Sequence, residues 1–200
     1  MIVQAKHLLS MIRPLLFLCL VTLTLVQEAI SQPEVILDRA STNIFPENWH
    51  GGKVNASAQP LLADQVDRMR GIVDRALGKY PPALLGTTLK KVYGLGHLEY
   101  HGVATGGTRS SSSIYVVCKT SYSDVAVERI LHGEYSSILF LKYPQHFDKA
   151  AWAKINPPDF QYLGSGVAAV KAGKTSSQFK PELHEIGFLH DYSQASIEED

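Results

Sequence analysis

The sequence predicts an α+β domain, and three observations carry this prediction. Apolar residues recur at helical spacing over residues 61–79. Three short strand candidates follow, and a second long helix is predicted over residues 123–143. Because helices and strands are grouped along the chain instead of alternating, we expect a small mixed sheet packed beside a central helix.

The first 31 residues have the pattern of a secretory signal peptide. Lys6 and Arg13 precede an uncharged run, residues 15–26, and Ala29-Ile30-Ser31 resembles a cleavage site. An uncleaved membrane anchor is the alternative, but a spanning helix needs about 20 apolar residues. We therefore expect an exported protein, periplasmic or extracellular, that meets a membrane only through this segment.

The residues after the signal peptide divide into two predicted parts. Turn-forming residues such as Pro46, Asn48 and Gly51 are frequent in residues 32–58, which we expect to be an irregular lead-in. Residues 59–200 are predicted to form the domain itself. Its first helix should end before Pro81, because proline cannot continue a helix.

The strand candidates cover residues 91–95, 98–103 and 114–118. His97 and His101 belong to this region, four positions apart, and residues four apart on a strand share a face. They could approach a site together, or they could simply face solvent. Cys118 is the last residue of the third strand candidate and is predicted to be a buried structural thiol, not a nucleophile.

Shorter elements are predicted towards the C-terminus. Helical patches are expected over residues 147–154 and 167–171, and a further helix from Pro181 to near Tyr192. Whether the natural chain continues beyond Asp200 is left open.

Composition excludes one class of partner. The chain has 19 basic and 19 acidic side chains in 200 residues. A nucleic-acid-binding protein normally carries a basic surface, so no nucleic-acid partner is expected. A peptide or protein partner remains open.

Glu134 is the best functional candidate in the sequence. On a helical wheel it falls within about 60° of every member of an apolar stripe, at 3.6 residues per turn; the stripe consists of Val127, Ile130, Leu131, Ile138 and Leu141. A carboxylate on an apolar face is costly unless it is paired, protonated or bound to a metal ion. Glu134 is therefore either a structural carboxylate with a partner elsewhere or a catalytic or ligand-binding group.

The residues around Glu134 can be compared directly with the zinc-binding helix motif H-E-x-x-H. In H-E-x-x-H, the two histidines lie one before and three after the glutamate, so that both reach one metal ion. Here these positions hold Gly133 and Ser137. His132 is adjacent, but it is rotated about 100° from the ligand position.

Several segments resemble a family of bacterial exported zinc-binding metallopeptidases. The segment Arg129-Ile130-Leu131-His132-Gly133-Glu134-Tyr135-Ser136-Ser137-Ile138-Leu139 is similar to that family's active-site helix, which reads approximately H-H-E-F-[AS]-[HS]-I-L. The similarity extends to residues 95–108, 156–160, 187–188 and 192–200.

The resemblance implies a zincin-like fold over the domain and a hydrolase that acts on peptides with zinc as cofactor. Glu134 would then be the catalytic general base. His132, His97 and His101 are the remaining candidates for metal ligands, and the family's third, acidic ligand would lie near Glu198-Glu199-Asp200.

Two functions follow as expectations. In the first, the chain is a metallopeptidase-like protein whose peptidase activity is weak or absent, because positions 133 and 137 lack histidine. In the second, a non-catalytic relative uses the same cleft to bind a peptide or a protein partner.

Overall fold

Residues 31–38, 42–164, 166–176, 180–188, 191–197 and 199 are described by the structure, a computed structural model of the chain. Residues 1–30, and with them all of the predicted signal peptide except Ser31, lie outside this part. The chain from Pro33 to Asp200 forms one compact unit.

The described residues contain six strands and five α-helices. In chain order these are β1 (Glu34–Ile36), β2 (Ser57–Pro60), α1 (Val66–Leu77), α2 (Pro82–Thr88), β3 (Lys91–Tyr100), β4 (Val103–Ala104), β5 (Gly107–Arg109), β6 (Ser113–Val117), α3 (Asp124–Lys142), α4 (Lys149–Ala153) and α5 (Gly166–Lys171). Short 3-10 helices include Pro181–Ile186 and Asp191–Gln194. The prediction of an α+β domain is confirmed, whereas the helix predicted from Pro181 is wrong in type.

One mixed sheet contains all six strands, with the order β1-β3-β6-β5. β3 pairs in parallel with β1 and β6, and β5 pairs antiparallel with β6. β2 and β4 pair antiparallel with β3. Within the described sheet, β5 is therefore an edge strand, and it lies against α3.

Both faces of the sheet are apolar and covered. Val92 and Val116 pack on one face with buried residues of α1, α2 and α3. Tyr93 and Val117, one position further along their strands, pack on the other face. This alternation follows from the two-residue period of a strand.

The lead-in covers the second face of the sheet, and it is not irregular throughout as predicted. β1 and the start of β2 lie within it. It also supplies Ile36, Ile44, Phe45, Trp49 and Ala56 to the second core cluster. A sheet that is apolar on both faces needs cover on both, and the lead-in provides it.

β3 is one strand of ten residues where the sequence predicted two. Where β3 pairs with β2, Leu95 lies opposite Pro60 and His97 lies opposite Gln59, so that Gly96 is skipped in the register. A side chain at Gly96 would overlap the carbonyl oxygen of Pro60. The glycine thus allows a bulge, and the strand continues through it.

Candidate functional site

Helix α3 carries Glu134, and local signals set both ends of the helix. Ser123 is the N-cap, because its Oγ accepts a hydrogen bond from the backbone N–H of Ala126 at 3.2 Å. Pro144 follows the last turn, after Tyr143. The helix predicted over residues 123–143 is confirmed to within one residue at each end.

Glu134 lies at the edge of the buried face of α3, not at its centre as predicted. The fully buried side chains of α3 are Val127, Leu131, Tyr135 and Ile138. The centre of this face is about 60° from Glu134 around the helix axis. Leu141, which the wheel placed on the stripe, is 50% exposed. The buried face of the helix is displaced towards Tyr135, because the Tyr135 ring packs in the core and its hydroxyl forms a hydrogen bond of 2.7 Å with the hydroxyl of Thr88.

The Glu134 side chain is partly buried and packs directly on β5. A Cβ atom built on Gly107 would lie 3.0 Å from Glu134 Oε1 and 3.2 Å from its Cγ. It would also overlap Ile130. Gly107 therefore leaves the space that Glu134 occupies between α3 and the edge strand.

Burial raises the pKa of Glu134 to about 8, and the negative charge of Glu199 adds to this effect. Arg109, two residues after Gly107 on β5, acts in the opposite direction. Within the described part of the chain, no group hydrogen-bonds to the Glu134 carboxyl. With a pKa of about 8, this carboxyl is mostly protonated at neutral pH.

Two tyrosines belong to the same electrostatic environment. The hydroxyl of Tyr192 donates a hydrogen bond to Glu199 Oε1 at 3.2 Å. Burial raises the pKa of Tyr192, and Glu199 and Glu134 raise it further. Burial also raises the pKa of Tyr100; Arg109 lowers it and Glu134 raises it. Glu134 is therefore surrounded by groups from β3, β5 and the C-terminal residues.

His132 belongs to a different cluster, on the α1 side of the helix. Its Nδ1 lies 2.7 Å from the Tyr80 hydroxyl, and its Nε2 lies 3.5 Å from Glu128 Oε1. Two residues along a helix are separated by about 160° around its axis, so His132 and Glu134 point in nearly opposite directions. The structure does not bring His132 to Glu134.

Glu128 holds that second cluster together. Lys79 and Arg75, both contributed by or just after α1, form ion pairs with its carboxylate at 2.5 Å and 2.8 Å. The hydrogen bond from Lys79, followed by that from Arg75, lowers the pKa of Glu128 to about 2. These contacts join α1 to α3 and give His132 a structural partner.

His97 and His101 do not form the pair on one face that the sequence suggested. His97 lies within β3, opposite Gln59. His101 lies after the end of β3, in the two-residue turn to β4, with a φ of 57°. Gly102, the other turn residue, also has a positive φ, as type I′ hairpin turns require. The ring of His101 is hydrogen-bonded to the backbone oxygen of Lys53 at 2.9 Å.

The residues around Glu134 do not fit a catalytic zinc ion. A Cβ at Gly133 would meet nothing within 4 Å, so this position faces open space with no donor atom of its own. Ser137 offers only a hydroxyl where the motif needs imidazole. Across the described residues, no group of three or more His, Cys, Asp or Glu side chains is arranged to hold a metal ion.

Cys118 is 2% exposed, as the sequence predicted. Burial raises the pKa of its thiol, although the charge of Arg68 opposes this. A buried thiol with a raised pKa is a poor nucleophile. We therefore assign Cys118 a structural role in the core.

A pocket with a volume of about 480 Å³ lies beside the C-terminal half of α3. Ser137 and Ile197 both contribute to its wall. Most of the remaining wall is aromatic or aliphatic, and includes Leu84, Leu139, Phe140, Tyr143, Phe147 and Trp152.

Sequence reasoning missed Arg109, Tyr192 and the role of Gly107. The adjacent glycines Gly106 and Gly107 are a signal in the sequence, because glycine next to predicted strands marks a turn or a close approach of the backbone. The resemblance placed an acidic metal ligand near Glu199, but it did not indicate that the charge of Glu199 would raise the pKa of Glu134.

No helix in the described residues combines the length and the apolar character needed to cross a bilayer. Comparisons of the chain with family models, curated proteins and solved structures give no match. The resemblance to metallopeptidases therefore stays a prediction, based on the segments quoted above.

Proposed function

We propose that this chain is an exported metallopeptidase-like protein with a zincin-like fold, that its peptidase activity is weak or absent, and that it binds an extended peptide along β5 beside Glu134. The observation that carries this proposal is the packing of the Glu134 side chain on Gly107 of the edge strand. The Glu134 carboxyl thereby lies next to backbone groups that can receive another strand.

The edge of β5 is suited to strand addition. Gly106 accepts a hydrogen bond from Val117 N–H, and Ser110 N–H donates to the carbonyl of Ser113. In an antiparallel pair the bonded positions alternate, so residues 107 and 109 direct their backbone groups away from β6. The Gly107 carbonyl accepts from the Thr105 hydroxyl, which leaves the groups of Arg109 as the outward donor and acceptor. An added peptide strand uses such groups.

The protonation state of Glu134 suits binding better than water activation. A protonated carboxyl donates one hydrogen bond and accepts others, which matches the carbonyl and N–H groups of a peptide. A general base must instead be ionised at the working pH. Glu134, with its pKa of about 8, is mostly protonated at neutral pH.

The missing ligands also argue against a hydrolase of normal strength. In a zinc peptidase the metal ion lowers the pKa of its bound water to about 7. With Gly133 and Ser137 in the ligand positions, α3 offers no imidazole at either of them to hold that ion. The proposal therefore assigns peptide binding, and not hydrolysis, to this surface.

Paired substitutions at Arg109 test the binding mode. Arg109→Pro removes the outward N–H, and an edge strand tolerates proline at such a position. Arg109→Ala removes the same side chain but keeps the N–H, so it is the matched control. With fluorescent unstructured decapeptides as probes, we expect Arg109→Pro to bind about fivefold more weakly than Arg109→Ala, since one hydrogen bond contributes about 1 kcal/mol.

Circular dichroism and thermal unfolding should first establish that both variants are folded. Equal affinity of the two variants for a probe that binds the unsubstituted chain would contradict peptide addition at β5. Stoichiometric zinc in the purified chain, together with peptide hydrolysis that Glu134→Gln abolishes, would contradict the non-catalytic assignment.

A further inference from the structure

The pocket beside the C-terminal half of α3 is built by a reversal of the chain. Pro144 follows the end of α3, and a short 3-10 helix leads from there to α4. Asp148 caps α4, because its carboxylate accepts hydrogen bonds from the backbone N–H groups of Ala150 and Ala151 at 3.0 and 2.9 Å. The reversal brings aromatic side chains from the residues after α3 back to the last turns of that helix.

Three aromatic rings form one wall of this pocket. The ring centroids of Phe140 and Phe147 are 4.8 Å apart, and those of Phe147 and Trp152 are 5.7 Å apart. All three side chains line the pocket. Trp152 is 37% exposed, so the wall can be reached from solvent. A ligand with apolar surface would therefore gain free energy by binding here.

A cation lies at this aromatic wall. Nζ of Lys149 lies over the ring of Phe140, 4.7 Å from its centroid. Within the described part of the chain, no carboxylate forms an ion pair with Lys149, and none lines the pocket. Asp148, its neighbour in sequence, already accepts the two N–H groups at the start of α4. The ammonium group of Lys149 is therefore available to an anionic ligand.

The pocket also contains a hydroxyl group that can bind a ligand. Ser137 is half-buried in the wall, and among the described residues its hydroxyl has no hydrogen-bond partner. The hydroxyl of Ser136, by contrast, donates to the carbonyl of Gly133 at 2.8 Å. The described lining thus combines a largely apolar wall with very few polar groups.

We propose that this pocket binds a single-chain amphipathic carboxylate, such as a medium-chain alkanoate, with the apolar chain along the aromatic wall and the carboxylate at Lys149. The volume of about 480 Å³ lies within the range of small-molecule sites, about 300 to 1,000 Å³. A zwitterionic amino acid fits less well, because its ammonium group finds no carboxylate in the described lining. A sugar would place many hydroxyl groups against rings that cannot pair with them.

The two ends of the ligand have different effects. An exposed ion pair adds little affinity, so burial of the apolar chain supplies most of the binding, and Lys149 supplies the preference for an anion. The proposal does not depend on peptide binding at β5, because no residue of that strand lines the pocket.

Tryptophan quenching by a brominated ligand tests the proposal on the intact chain. The chain has two tryptophans. Trp152 lines the pocket, whereas Trp49 is buried in the second core cluster. The probe is a medium-chain alkanoate with bromine at its far end, and the matching bromoalkanol is the neutral control; both are used below the concentrations at which they aggregate. We expect saturable quenching by both probes, with an affinity about threefold higher for the alkanoate, the preference that an exposed ion pair gives.

Two variants at exposed side chains locate the ligand and its carboxylate. Trp152→Phe should abolish the saturable quenching, because Trp49 lies in the other core cluster. In Lys149→Gln the preference for the alkanoate should vanish, while the affinity for the alkanol stays the same. Lys53→Gln removes an exposed lysine from the lead-in and should keep the preference, so it is the matched control. Circular dichroism establishes that each variant is folded.

The absence of saturable quenching in the unsubstituted chain would overturn the proposal, and so would equal affinities for the alkanoate and the alkanol. Quenching that persists in Trp152→Phe would mean that the ligand binds elsewhere. An unchanged preference in Lys149→Gln would contradict the position given to the carboxylate. Arg109→Pro should bind the alkanoate as the unsubstituted chain does, so a failure of peptide binding at β5 would not change the outcome of this test.

Discussion

Glu134→Gln should abolish a loss of stability that the unsubstituted chain shows as the pH rises. The pKa of Glu134 in the fold, about 8, lies above its ordinary value of 4.5. The folded state thus binds more protons than the unfolded chain between these values, and the free energy of unfolding falls as the pH increases. The fall from pH 5 to pH 8 should be on the order of a few kcal/mol, because one pKa unit corresponds to about 1.4 kcal/mol. Glutamine has nearly the same shape as glutamate, but its side-chain amide does not titrate.

Urea unfolding at fixed pH values, followed by tryptophan fluorescence, measures this effect. Starting at pH 5 avoids protonation of Glu128, whose pKa is held at about 2 by Lys79 and Arg75. Glu47→Gln, which removes an exposed carboxylate elsewhere, is the control and should show the fall of the unsubstituted chain. A Glu134→Gln variant with the same pH dependence as that control would show that Glu134 is not the group responsible.

The double substitution Gly133→His and Ser137→His should create a zinc site on α3. Positions 133 and 137 are one helical turn apart, so two imidazoles there face one metal ion. The Cβ side of Gly133 is open, and Ser137 reaches the pocket wall, so both positions have room. Replacing glycine inside a helix also stabilises it, by about 0.3 kcal/mol or more. We expect stoichiometric zinc in the double variant and none in the unsubstituted chain.

Metal analysis after dialysis against a weak chelator measures directly how much zinc each chain binds. The variant Gly133→Ala with Ser137→Ala changes the helix in the same places without adding ligands, and it should stay free of zinc. Retention of stoichiometric zinc by the unsubstituted chain after the same dialysis would mean that other residues form a site. The assignment of positions 133 and 137 as vacated ligand positions would then be wrong.

The helix that carries Glu134 could be predicted from sequence because its signals are local. Ser123 caps one end, Pro144 follows the other, and the apolar spacing fills the nineteen residues between. The strand β6 was predicted for a similar reason, as a short run of β-branched and aromatic residues.

The lead-in and the exact face of α3 could not be predicted, because they depend on pairing between distant segments. β1 is a strand only because β3 offers it a parallel edge far along the chain. Likewise, Glu134 is displaced from the centre of the buried face because Tyr135 finds a partner in Thr88. A helical wheel shows neither contact, because it uses the sequence of one helix alone.

Of the candidate site, Glu134 could be predicted from the sequence, but the residues that surround it could not. Glu134 stood out because a carboxylate near an apolar stripe is unusual. Arg109 could not be connected with Glu134, since it comes from a short edge strand, and the C-terminal region of Glu199 was connected with it only through the family resemblance. The three histidines were proposed from proximity in sequence, but turn geometry and the cluster around Glu128 place His101 and His132 elsewhere.

The most direct test of the account is the titration of the Glu134 carboxyl carbon by NMR in the intact chain, with Glu134→Gln used to assign the resonance. Packing on Gly107 and the nearby charge of Glu199 predict a midpoint near pH 8. A midpoint near 4.5, the ordinary value for a solvated glutamate, would contradict the buried, protonated carboxyl on which the account is based.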